Sequence, residues 1–109
     1  MAIPHARPMD TVDVRPLGTG FQDAQTTTLV KTNHLELIRL VLPAGKEIAE
    51  HQVAGEITVQ CLEGQVEFTS NDVTRSLSAG LLVFLAGASK HSLRAVENSS
   101  LLLTIHLQY

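Results

Sequence analysis

The chain has 109 residues, of which 44% are hydrophobic and 17% are charged, and its formal net charge at pH 7 is −3. This length and composition predict one domain whose core needs no disulfide and no structural metal. The single cysteine, Cys61, excludes an intramolecular disulfide and a zinc site built on several thiols. An aromatic content of 4% and a negative net charge argue against a nucleic-acid partner.

The chain contains no apolar run close to the ~18 residues that cross a membrane. Its first eight residues also lack the apolar centre of a signal peptide. We therefore expect a cytoplasmic protein without membrane contact. The unusual feature is the presence of 5 histidines, because histidine is the commonest metal ligand and a frequent acid–base group.

Residues 1–25 contain three of the 4 prolines and several glycine or aspartate breaks. This composition predicts an N-terminal arm that lies over the body of the protein, with one short strand over residues 12–15. The best helix candidate covers residues 20–26. Residues 26–109 are predicted to form the β-barrel domain.

From residue 26 onward, β-branched and apolar runs alternate with turn residues. The predicted strands cover residues 26–30, 35–42, 57–62, 65–69, 73–77, 81–85, 91–96 and 101–107, with a turn over residues 97–100. Because no segment keeps a helical period for three turns, the pattern indicates an all-β antiparallel sandwich or barrel.

Two of the predicted strands are apolar on both faces, over residues 81–85 and 101–103. A sheet with one face in water has no need of such strands. A partner subunit would cover the second face most simply, and we therefore expect a homodimer that buries these faces or exchanges the arm.

His51 and His91 each follow a glycine turn by six or more residues, and each lies close to the start of a predicted strand. A closed barrel could bring both side chains to the same mouth. The pair is the main candidate site in the sequence.

With glycines and histidines at these spacings, the chain resembles the cupin superfamily, whose small jelly-roll barrels carry two signature motifs. Gly45, His51 and Gly64 match the first motif, and Gly80 and His91 match the second. The resemblance covers about residues 35–107 and implies a single-domain cupin jelly-roll barrel.

Other motif positions differ from the cupin pattern. The chain has Val53 in place of the second metal-binding histidine and Ile57 in place of the glutamate, and alanines replace the proline, glycine and asparagine of the second motif at Ala86, Ala88 and Ala95. Cupin metal sites use three histidines and one glutamate to hold iron, manganese, nickel or zinc. The resemblance therefore implies two candidate ligands for one divalent metal, His51 and His91, and a site that other groups must complete.

Three further polar residues are candidates for the pocket. Glu56 is next to position 57, where the cupin motif has its glutamate. Gln60 lies an even number of residues from Glu56, so a strand would place both on the same face. His106 lies on the last predicted strand. The alternative for each is a solvent-facing or cross-strand role. For His51 and His91 the alternative is a hydrogen-bonded pair in a barrel that has lost its metal.

The remaining candidates have simpler interpretations. We expect His5 and His34 at the surface, and Cys61 as a buried, unreactive thiol in a β-run. Lys90, beside His91, could steer an acidic ligand to the mouth. The sequence has no nucleophile elbow, phosphate-binding glycine loop or His-Glu-x-x-His motif.

The first functional hypothesis is a small-molecule-binding barrel around His51 and His91, with a divalent metal that would make it a dioxygenase-like or isomerase-like enzyme. The second is a metal-free ligand-binding or sensor module without catalysis. The third is a structural dimer whose interior is filled by Val53, Ile57 and Val59.

Overall fold

The computed structural model describes residues 5–107. Nine strands and one 3-10 helix, Gly18–Asp23, form the regular structure of this part of the chain. In chain order the strands are β1 (Thr27–Lys31), β2 (Leu35–Leu42), β3 (Glu47–His51), β4 (Ile57–Glu63), β5 (Gln65–Ser70), β6 (Val73–Ser78), β7 (Leu82–Leu85), β8 (His91–Ala95) and β9 (Ser99–His106).

The strands form two antiparallel sheets. The five-stranded sheet has the order β1-β2-β9-β4-β7, and the four-stranded sheet has the order β3-β8-β5-β6. β6 and β7 are therefore edge strands, one from each sheet. The all-β prediction is confirmed, and no helix within residues 5–107 is long and apolar enough to cross a membrane.

The core lies between the two sheets, because apolar side chains alternate with polar ones along most strands. In β4, for example, Ile57, Val59 and Cys61 are buried, whereas Thr58 and Gln60 face the opposite side. The buried apolar residues of the two inner faces form one cluster: Leu42, Ile57, Val59, Cys61, Val66, Phe68, Leu77, Leu93, Ala95, Leu101 and Ile105.

All eight strands predicted from residue 26 onward are present, with ends that differ by at most two residues. β3 was not predicted, because Glu47–His51 has only one large apolar residue, Ile48, and a mostly exposed face. The predicted turn over residues 97–100 is wrong in its second half. Ser99 and Ser100 begin β9 and are fully buried, since their hydroxyl groups find hydrogen-bond partners there.

The described residues before β1, 5–26, are called the N-terminal segment. The predicted strand over residues 12–15 is wrong, because this stretch has no strand pairing. The predicted helix is replaced by the 3-10 helix Gly18–Asp23, which begins two residues earlier and buries Phe21.

Polar contacts hold the N-terminal segment on the outer face of the five-stranded sheet. Glu63 accepts the backbone N–H of Leu17 at 2.7 Å and that of Gly18 at 3.1 Å, and it also accepts the Ser100 hydroxyl at 2.6 Å. Arg39 donates to the carbonyl oxygen of Arg15 and is buried, although it faces away from the core. Burial alone would raise the pKa of the Glu63 carboxyl, but these hydrogen bonds outweigh it and lower the pKa.

Candidate functional site

His51 ends β3 and His91 begins β8, and the two residues are register partners in the four-stranded sheet. A register shift between Ile48 and His51 brings His51 to this position. The ring centroids are 4.3 Å apart, and the ring planes meet at 61°. The expectation that the two histidines meet at one end of the barrel agrees with this geometry.

Backbone carbonyl groups orient both imidazole rings. The Nδ1 atom of His51 lies 2.9 Å from the Ala49 oxygen, and that of His91 lies 3.0 Å from the Ser89 oxygen. Because a carbonyl oxygen can only accept a hydrogen bond, each Nδ1 carries the proton. In the neutral form, both Nε2 atoms therefore keep a lone pair for a ligand or a metal.

The two rings have different environments. His51 is exposed, whereas His91 is only 5% exposed and stacks on Phe68, with centroids 5.6 Å apart and an angle of 14° between the planes. Burial lowers the pKa of His91 against the effect of the Ser89 hydrogen bond, and the charge of a protonated His51 would lower it further. His91 is therefore neutral at pH 7.

An apolar cleft of about 230 Å³ lies next to Phe68, between the edge strands β6 and β7. Its lining is formed by Phe68, Ser70, Asn71, Val73, Arg75, Val83 and Leu85. Ser70 is the register partner of His91 across β5 and β8, and Phe68 stacks on His91, so the histidine pair adjoins the cleft without lining it. We call the pair and this cleft together the barrel mouth.

The other candidate pocket residues lie elsewhere. Gln60 and His106 point to the outer face of the five-stranded sheet, because the inward positions of their strands are taken by Val59, Cys61 and Ile105. Glu56 is exposed and does not line the cleft; its carbonyl oxygen accepts the backbone N–H of His106. The structure thus brings His51 and His91 together without these three side chains.

Apolar residues occupy two of the four positions where the cupin pattern has metal ligands. Ile57 is 3% exposed in the core, and Val53 packs against the core. Within residues 5–107, no group of three or more His, Cys, Asp and Glu side chains is placed to hold a metal. The two imidazoles therefore do not fit the four-ligand centre that the resemblance implies.

In the second motif, the substitution of alanine for glycine at Ala88 leaves a residue with a side chain in a left-handed backbone conformation. Ala88, at the position where the cupin motif has glycine, adopts φ +62°, which is the left-handed region that an L-residue occupies only at a cost. The motif glycines Gly45, Gly64 and Gly80 likewise have positive φ values, of 86°, 87° and 92°. The chain thus has left-handed backbone at these motif positions, although Val53 and Ile57 replace two of the motif's metal ligands.

Sequence reasoning missed Phe68 and Arg75 as members of the barrel mouth. Both were inside predicted strands, and the short turn between those strands predicts their pairing but not the strand that faces them across the mouth. The available signal was the alternation of residues 73–77, in which Arg75 has the same parity as Val73 and the buried Leu77. A charged residue at a strand position that points inward indicates either the edge of the core or a binding site.

No protein-family model and no curated protein matches the chain. Solved structures do match. A conserved protein of unknown function from Streptococcus pyogenes is 26% identical, with a TM-score of 0.79 over 100% of this chain and 99% of that chain. A cupin superfamily protein from Desulfitobacterium hafniense is 14% identical, with a TM-score of 0.77 over 99% of this chain and 97% of that chain.

An RmlC-like cupin from Shewanella frigidimarina is 18% identical, with a TM-score of 0.71 over 74% of this chain and 73% of that chain. At these identities the likeness to the cupins concerns the fold and carries no reaction with it. It agrees with the two antiparallel sheets and with the motif turns. The chain is a small domain with the cupin fold.

Proposed function

We propose that the barrel mouth binds a small organic molecule between the His51–His91 pair and the apolar cleft. The observation that carries this proposal is the pair of imidazole rings, with centroids 4.3 Å apart and each Nδ1 bonded to a backbone carbonyl oxygen, beside an apolar cleft of about 230 Å³. Small-molecule sites have this composition, in which apolar walls supply contact area and a few fixed polar atoms supply orientation.

The histidine pair supports binding without requiring catalysis. At pH 7 His91 is neutral, and its Nε2 can accept a hydrogen bond from a hydroxyl or amide group of the ligand. A backbone carbonyl oxygen orients each ring; His91 is also buried against Phe68, whereas His51 is exposed. Two oriented acceptors, one buried and one exposed, suit a ligand-binding or sensor module.

A fragment titration followed by ¹⁵N–¹H NMR tests this proposal. Small organic acids, alcohols and amides are added to wild-type protein, and we expect some to shift the amide signals of Phe68, Ser70 and His91. The His51→Ala variant should weaken these hits, and His34→Ala, which removes another exposed histidine, should leave them unchanged. If no fragment shifts the signals of the barrel mouth, the proposal is wrong.

The second candidate is a metal-dependent enzyme of the dioxygenase or isomerase kind. The hydrogen bonds from both Nδ1 atoms to carbonyl oxygens favour it, since metal-binding histidines are usually held in this way. Because the described side chains supply only two ligands, we derive no reaction step through a metal.

Metal analysis separates the two candidates. Protein without a histidine tag is purified from cells supplied with iron, manganese, nickel and zinc. Stoichiometric metal in the wild type that is lost in His51→Ala would support the enzyme. Melting temperatures that rise with an organic ligand and not with any of the four metals would support the metal-free module.

A further inference from the structure

We infer that the barrel mouth selects small carboxylates, with Arg75 as the residue that recognises the carboxylate group. This inference rests on the proposed function and specifies its ligand class. Arg75 is the only charged residue among those that line the cleft.

The position of Arg75 in the sheet directs it toward the cleft. It is the register partner of Phe68 across β5 and β6, and residues directly opposite each other in an antiparallel pair share one face. Phe68 is 2% exposed and lies in the core. The side chain of Arg75 therefore leaves the backbone on the inner face of the sheet, at the edge of the core. The residue as a whole is exposed.

The Arg75 guanidinium forms no ion pair with any residue that the structure describes. The ion pairs among residues 5–107 involve Arg15, Lys31 and Arg94, and Arg75 takes part in none of them. Guanidinium groups bind carboxylates through two parallel hydrogen bonds, which gives both strength and geometry. A ligand carboxylate could therefore bind this guanidinium without breaking an ion pair within the protein.

The rest of the cleft fits the body of such a ligand. Val73, Val83 and Leu85 provide apolar walls, and Ser70 and Asn71 provide neutral polar groups at the rim. The ligand class is therefore a monocarboxylate with a short apolar or aromatic body. Phe68 forms part of the wall and also stacks on His91, so the carboxylate would bind at the end of the mouth away from the histidine pair.

Benzoate and its neutral analogue benzamide test this inference by NMR titration. We expect benzoate to shift the amide signals of Phe68, Ser70 and Leu85 and to bind about tenfold more weakly to Arg75→Gln. Benzamide should bind the wild type and Arg75→Gln equally. The matched control is Arg94→Gln, which removes the same charge from the outer face of the four-stranded sheet and should leave benzoate binding unchanged.

The outcomes separate the inference from the proposed function. If benzoate and benzamide bind the mouth with equal affinity, or if Arg75→Gln binds benzoate as well as the wild type does, carboxylate selection is wrong and small-molecule binding stands. If Arg94→Gln weakens benzoate binding as much as Arg75→Gln does, the effect is one of net charge and the inference is also wrong. If neither these probes nor any other fragment shifts the mouth signals, both proposals are wrong.

Discussion

The backbone N–H of Ala88 donates a 2.8 Å hydrogen bond to the carbonyl oxygen of Val53. These are two of the positions at which the chain departs from the cupin motifs, Val53 replacing a histidine and Ala88 replacing a glycine. The bond joins the loop after β3 to the loop before β8, and His51 and His91 are the strand residues next to these loops. Because the bond uses backbone atoms only, it does not depend on which side chains occupy these two positions.

Replacing Ala88 by glycine should stabilise the protein. Ala88 has φ +62°, where an alanine is strained and a glycine is not. Relief of this strain, less the greater entropy of glycine in the unfolded chain, should raise the free energy of unfolding by about 0.5 to 1 kcal/mol. Urea denaturation measures the change. The matched control is Ala86→Gly in the same loop, whose φ is not positive and which should lose stability; a loss in both variants would contradict the prediction.

Removing the Glu63 carboxylate should loosen the N-terminal segment in a pH-dependent way. The pKa of Glu63 lies below its ordinary value of 4.5 in the folded protein, so folding favours the charged form. This stabilisation is fully present above about pH 4.5 and is lost as the pH falls through the folded-state pKa. At pH 7, Glu63→Gln should be less stable than the wild type by about 1 to 2 kcal/mol.

The difference between wild type and Glu63→Gln should shrink when urea denaturation is repeated between pH 4.5 and pH 3. Glu56→Gln is the matched control, because this exposed side chain forms no hydrogen bond or ion pair within residues 5–107. A difference that is constant over the whole pH range would show that the carboxylate charge is not what holds the segment.

Gly55→Ala should destabilise the fold strongly. A Cβ atom at residue 55 would lie 1.6 Å from the carbonyl oxygen of His106, and a backbone atom cannot move away without disturbing β9. We expect a loss of about 3 kcal/mol, read from the denaturation midpoint. Gly20→Ala, where the added Cβ would meet nothing within 4 Å, should cost little. Equal stability of the two variants would mean that the two chain segments are farther apart than described.

Cys61 should be unreactive in the folded protein. It is 0% exposed, and burial raises the pKa of its thiol, so little thiolate is available to react. A colorimetric thiol reagent at pH 8 should label the native protein only as fast as it opens, and should label it within seconds in concentrated urea. Rapid labelling without denaturant would contradict this expectation.

The homodimer expected from the apolar strands stays a prediction. On the outer face of edge strand β7, Leu82 is 53% exposed and Phe84 is 57% exposed, and these are the side chains that a second copy would cover. Analytical ultracentrifugation should give a dimer for the wild type and a monomer for Leu82→Ser combined with Phe84→Ser. A monomeric wild type at micromolar concentration would end this interpretation.

The strands could be predicted because turn residues separate the apolar runs. The histidine pair could be predicted because the glycines and histidines keep the motif spacing, although two metal-ligand positions are apolar. The rest depends on pairing between distant segments. The hydrogen bonds from Leu17 and Gly18 to Glu63 link residues more than 40 positions apart, and no local pattern signals them. β3 was missed for a related reason: its strand character comes from pairing with β8, not from its own composition.

Phe68 belongs at once to the core and to the wall of the ligand cleft. A substitution that enlarged the cleft at this position would also leave a cavity beneath it, at a cost of about 3 to 5 kcal/mol for alanine. If the cleft binds a ligand as proposed, substitutions of Val73 or Arg75 at the rim would change ligand preference at little cost in stability, whereas substitutions of Phe68 would risk unfolding. Divergence among relatives of this protein should accumulate on the β6 side of the mouth first.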